Sequence, residues 1–178
     1  MSNGSTVELL KKARDTYAVG KALRALAQVE QILTLAPDNV EALNLKAAIL
    51  YELDRDEEAA DYHRRALALE PHSVEALHGL GALANDQQDY AHALQWLDTA
   101  FRAMPDDPNV ELKENEDFRQ RVLAELYNEK AFALWYTGHR EEAIRLLVHD
   151  APLACPLEEE NFEEELAWLQ EHPESPEE

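Results

Sequence analysis

Seven histidines, one cysteine and 37 aspartates and glutamates are the side chains of this chain that could hold a metal ion or move a proton. A structural zinc site needs four ligands drawn mostly from Cys and His, and a hydrolytic one sets two His a helical turn apart with a Glu beside them. His63, His72, His78, His92, His139, His149 and His172 form no His-x-x-x-His pair and no such Glu-His motif. Cys155 stands alone, which excludes an internal disulfide and a thiolate metal cage. The five glycines build no phosphate-cradling loop, nucleophile elbow or Ca²⁺ loop. Carboxylates adjoin at Asp106-Asp107 and Glu158-Glu159-Glu160, but in so acidic a chain such runs are ordinary solvated charge. No catalytic residue, metal or cofactor is expected, so the chain reads as something other than an enzyme. His63 is read as a packing residue, and His78 is the one histidine kept as a ligand contact.

The elements that must position any site are helical. Ala, Leu, Glu and Gln dominate, β-branched residues are few, and hydrophobic residues make up 46% of the chain, enough to bury a core. The net charge of −21 argues against nucleic acid and anionic membranes as partners, because phosphate binding needs clustered Lys and Arg. That charge is uneven. The segment 157–178 holds ten Glu and no Lys or Arg, whereas in the segment 1–28 Lys11, Lys12, Arg14, Lys21 and Arg24 outnumber Glu8 and Asp15. A lone cysteine and no apolar run approaching about 18 residues lead us to expect a soluble, cytoplasmic protein.

An internal period organises the chain. Pro37, Pro71 and Pro105 recur with a period of 34, as do Leu33 and Leu67, Leu35 and Leu69, and the blocks Val40-Glu41-Ala42-Leu43 and Val74-Glu75-Ala76-Leu77. Small residues recur in the same frame at Ala25, Ala59 and Ala93 and at Ala13, Ala47 and Gly81. Two antiparallel helices nest closely only where small side chains meet at their crossing, while Leu9, Leu43 and Leu77 fill the space between pairs. Each proline ends the second helix of its pair, since it lacks an N–H and restricts its predecessor. Turns are expected near Gly20, Asp54 and Gln88. Ser5 with Glu8, Asp38 with Glu41 and Asp54 with Glu57 have capping-box spacing.

This pattern resembles the tetratricopeptide repeat family, whose unit is a helix–turn–helix of about 34 residues with two small columns and a closing proline. The resemblance implies an all-α, right-handed solenoid of about four helix pairs, in units 6–39, 40–73, 74–107 and 124–157. An insertion at 108–123 lengthens the first helix of the fourth unit, and Cys155, between Pro152 and Pro156, occupies that unit's proline slot. In 157–171, Phe162, Leu166 and Leu169 recur at i, i+4 and i+7, the spacing of an amphipathic helix. Over 158–171 it is expected to cap the last unit, leaving 172–178 as a disordered acidic tail.

In that family the first helix of each pair lines a concave side on which extended or helical peptides lie. The residues of this chain at those positions are Arg14 and Tyr17; Glu41, Asn44, Ala48 and Tyr51; Glu75, His78, Ala82 and Asn85; and Glu125, Asn128, Phe132, Trp135 and Tyr136. Asn44 and Asn128 could bond a peptide backbone through both donor and acceptor, and the aromatic residues supply rigid contact area. Changing Asn44 is therefore expected to weaken binding and leave stability alone. A clamp of two Lys, an Arg and two Asn serves family members that hold acidic chaperone C-termini. Its slots here carry Leu10, Arg14, Leu45, Glu75 and Gly79, so the clamp is absent. With Glu41, Glu75 and Glu125 on one side, the expected ligand is a neutral or basic protein segment. The expected function is an interaction scaffold or adaptor. The alternatives are a dedicated chaperone for a secreted or assembling subunit and a self-assembling solenoid, in which basic first unit meets acidic tail in a homo-oligomer.

Overall fold

A computed structural model describes residues 3–104 and 116–147, with side chains over 6–104 and 122–147. Among the described residues all regular structure is helical: α1 Asn3–Ala18, α2 Ala22–Leu35, α3 Val40–Glu52, α4 Asp56–Leu69, α5 Val74–Asp86, α6 Tyr90–Ala103, α7 Glu116–Tyr136 and α8 Arg140–Arg145. This is the all-α helical-repeat class that the sequence period implies. None of these helices is long and apolar enough to cross a membrane. The capping helix expected at 158–171, the tail at 172–178 and the end of the fourth repeat, Cys155 included, lie outside the described residues.

Within each pair the turn is set by one residue in the left-handed region. Gly20 (φ 71°), Asp54 (φ 56°), Gln88 (φ 60°) and Gly138 (φ 84°) occupy equivalent places, the first three separated by the sequence period, where the turns are expected. Two of the four are not glycine, so tertiary packing holds an Asp and a Gln where L-residues are disfavoured. The caps differ from expectation. Asn39, not Asp38, caps α3, its Oδ1 accepting from the Ala42 N–H at 2.8 Å. Asp54 is spent on the turn, and α4 starts from Arg55 without a side-chain cap. Ser5 lies inside α1 rather than before it. The chain path fixes which residue precedes the first helical N–H, and a one-residue shift moves the cap.

Two compact units divide the chain, residues 1–80 and 81–178. In the first, α1 packs on α2, α2 on α3 and α3 on α4. The small columns lie in these seams: Ala13, Ala25, Ala47 and Ala59 are all fully buried. Val40, Leu43, Ala66 and Ala76 form a core cluster with Leu33, Tyr62 and Leu67 against it. A Leu buried as fully as Leu43 contributes about 1.5–3 kcal/mol. Lys46 ties three helices together, its Nζ 2.9 Å from Glu30 of α2 and 4.6 Å from the centre of the Tyr62 ring of α4. Gly79 has no room for a side chain, since a Cβ there would run into the His63 imidazole.

In the second unit α6 packs on α7 and α7 on α8. Ala93, Ala131 and Ala143 are buried, and a Cβ on Gly81 would come within 2.8 Å of Leu97. Lys130 of α7 reaches Asp98 of α6 at 2.7 Å. In the frame of the repeats, Lys130 and Asp98 stand where Lys46 and Glu30 stand in the first unit, so the same ion pair recurs in both.

Candidate functional site

In the first unit α1 carries Arg14 and Tyr17 about one turn apart, and α3 carries Glu41 near its start and Tyr51 near its end. Arg14 Nη2 lies 3.2 Å from the Glu41 carboxylate, and both side chains are about one-third exposed. The pair borders a cleft of about 480 Å³ whose walls include Val7, Leu10, Asp15 and Asn39. Val7 is 68% exposed, an apolar side chain on the column that carries Glu41 and Glu75 in later repeats. The Tyr17 hydroxyl shares its one hydrogen between Glu52 and the Ala48 carbonyl, the latter at 3.4 Å. Burial, with a hydrogen bond to Glu52 and that carboxylate's charge, pushes the Tyr17 phenol up to about 12, so it remains a neutral donor. Tyr51 is 39% exposed. Charge, hydroxyl and apolar surface thus adjoin on one face.

Other residues proposed for that face lie in the interior. Asn44 is 1% exposed. Its Nδ2 donates to Ser73 Oγ at 3.0 Å and its Oδ1 lies 3.3 Å from His63 Nδ1, so neither end of its carboxamide is offered to a ligand. The correction has a geometric cause: positions three residues beyond Glu41 on α3 turn toward α4 and the start of α5. His78, one period on, is partly buried near His63, where burial drops its imidazole to about 4. Burial first, and the neighbouring His78 second, drop His63 to about 4 as well. Both rings are neutral at pH 7, so His78, which is partly exposed, offers a ligand no charge. Glu75 is partly exposed.

In the second unit Trp135 is also interior, 4% exposed among Ala131, Leu134, Ala143 and Leu147, with the Arg140 guanidinium 5.3 Å over its ring. Asn85 is 4% exposed, and its Nδ2 donates to the Glu129 carbonyl at 3.0 Å and carboxylate at 2.6 Å. Glu125 is exposed and Asn128 partly buried. Tyr136 stacks on Tyr90, centroids 5.0 Å apart and planes 14° from parallel, and Phe132 tilts against both. Tyr90 is the member that the sequence pattern does not point to, because it sits at the start of the second helix of its pair, away from the first-helix face. Its equivalent one period earlier is Asp56, so the column carries no aromatic signal.

Among the described residues no group of three or more His, Cys, Asp and Glu is arranged to hold a metal ion. The first face offers a carboxylate, an arginine, tyrosines and a cleft, and the second offers carboxylates and aromatic rings.

Two models of the tetratricopeptide repeat match the sequence, over residues 10–69 and 57–115. No curated protein sequence matches it. Among solved structures, the chain is similar to the O-GlcNAc transferase of Thermobaculum terrenum, at 26% identity and a TM-score of 0.60 over 76% of this chain and 23% of that one. It therefore spans about a quarter of that enzyme's length. PilF of Pseudomonas aeruginosa superposes with a TM-score of 0.62 at 14% identity, covering 94% of this chain and 72% of its own. The TPR2B domain of yeast Sti1, solved as a complex with pHsp70, gives 0.58 at 20% identity over 72% and 94%.

Proposed function

Since this chain belongs to the tetratricopeptide repeat family and has a protein–protein interaction role, we propose that it is a scaffold that holds neutral or basic segments of a partner protein on the first helices of its repeats. The observation that carries the reading is the face of the first unit, where a cleft of about 480 Å³, walled by Val7 and Leu10 together with Lys11, Asp15 and Asn39, adjoins the Arg14–Glu41 pair and part-exposed Tyr51 lies further along α3. Apolar anchors beside oriented charge are what peptide recognition requires, and a half-exposed Tyr is a typical anchor.

The preference for neutral or basic ligands follows from charge. Glu41, Glu75 and Glu125 recur on the first helices, Arg14 is paired with Glu41, and the whole chain carries −21. An acidic segment would approach against that field, most of all at low salt. On this reading the chain performs no chemistry of its own and needs no cofactor, nucleic acid or membrane. The cytoplasm suits its single cysteine.

A pull-down from the native host tests the reading, with wild type and the Tyr51→Ala/Glu41→Gln double variant as baits. A partner recovered on the wild type, whose purified segment binds at least tenfold more weakly to the variant, supports it. Partners held equally by both baits would place recognition elsewhere.

A further inference from the structure

Resting on that reading, we propose that the cleft of the first unit takes an extended stretch of the partner in which alternate residues are apolar, acidic and basic, laid in that order over Val7, Lys11 and Asp15. All three side chains line the cleft and are exposed. Spaced four apart on α1, they share one face of that helix. The other two charges on the walls, Arg14 and Glu41, lie 3.2 Å apart and compensate each other. Among the described residues neither Lys11 nor Asp15 has an ion-pair partner. The wall of α1 thus offers, from its start, an apolar side chain, an uncompensated cation and an uncompensated anion. An opposite charge in the ligand answers each of the last two. One acid and one base leave the segment neutral.

The spacing sets the conformation of the ligand. Four residues of α-helix advance about 6 Å, and the row they form is inclined by about 26° to the axis, so neighbours along it stand about 6.7 Å apart. In an extended chain the side chains on one side recur every second residue, or about every 6.6 Å. About five extended residues therefore keep step with the three positions of α1. A helix does not fit so well: about 10 Å wide and crossing the same stretch of about 12 Å, it would occupy about 900 Å³. The cleft offers about 480 Å³. Asn39, on the opposite wall, supplies a main-chain contact. Its Oδ1 is spent on the Ala42 N–H, which leaves Nδ2 to donate to a carbonyl of the segment. An extended chain has such carbonyls to offer, whereas a helix pairs its own.

A selection of random twelve-residue peptides displayed on phage tests the register, with the full chain and its Lys11→Asp/Asp15→Lys variant as separate targets. The exchange keeps the net charge and alters two exposed side chains, so the helical circular dichroism is expected to be unchanged. In the wild-type pool an acidic residue should stand two places from an apolar one and two places from a basic one. The acid is then central whichever way the peptide runs. Against the variant the central residue becomes basic and the outer one acidic. A synthetic peptide from the wild-type pool should bind the variant about tenfold more weakly, because two exposed pairs turn repulsive. Exchanging the acid and base of that peptide should restore its binding. Peptides without this alternation, or with the three side chains four places apart, overturn the proposal, as does the same central charge in both pools. If such peptides bind the Tyr51→Ala/Glu41→Gln variant more weakly than wild type, the scaffold reading stands without the register. If they bind it equally, or no peptide is enriched, both fall.

Discussion

His63 is 4% exposed, and its Nδ1, read as the donor, faces Asn44 Oδ1 at 3.3 Å while burial and the nearby His78 hold the ring neutral. A folded-state pKa of about 4 against 6.5 means the unfolded chain binds the proton first as pH falls. The stability that His63 contributes is therefore complete above pH 6.5 and lost progressively as pH drops towards 4, amounting to about 3 kcal/mol across that window. His78 acts in the same sense. Because relief of carboxylate repulsion acts oppositely at low pH, the measurement is a difference. Urea midpoints of wild type and His63→Gln should converge as pH falls from 7 to 5, and a gap that widens would contradict the assignment. Asn44 shows what a sequence leaves hidden at this scale. Its column could be read from the period, but not which way that column turns, because three residues along a helix separate an open face from a buried seam. The structure accordingly reverses the expected effect of changing it. Asn44→Ala strands Ser73 Oγ and the His63 N–H in the interior and should cost about 1–3 kcal/mol in chemical denaturation. An unchanged midpoint would contradict the buried network.

At the scale of elements the period was a reliable guide, because each recurring residue does one backbone or packing job. Small side chains mark crossings, prolines follow second helices, and turns fall once per repeat whether or not glycine fills them. Asp54 and Gln88 show that the turn is imposed by the helices on either side of it. A non-glycine residue in the left-handed region costs about 1–2 kcal/mol, and glycine gives back part of that through its looser unfolded chain. Gln88→Gly should thus raise stability by up to about 1 kcal/mol, seen as a higher thermal midpoint, and a lower midpoint would show that the side chain itself stabilises the turn. What the period did not disclose is the recurring ion pair, Lys46 with Glu30 and Lys130 with Asp98. An insertion separates its two copies in sequence, and the equivalent acid position in the second repeat carries Arg64, so no simple spacing exposes it. The aromatic cluster was half legible for a similar reason, since Phe132 and Tyr136 follow helical spacing while Tyr90 joins them only through packing.

Charge is what the whole molecule adds. At −21 the chain repels its own copies at low ionic strength, and its basic segment 1–28 is a small counterweight to the ten glutamates of the segment 157–178. The scaffold reading expects light scattering to give a particle of 20.2 kDa in both 20 mM and 500 mM salt. A mass that grows as salt is lowered would restore the head-to-tail assembly as the better account. Where a partner lies on the chain is the central question, and backbone hydrogen exchange with and without the captured partner segment answers it most directly. Slowed exchange concentrated in α1, α3, α5 and α7 is the predicted result. Protection confined to α2, α4 and α6 would contradict it, because the partner would then lie on the second helices.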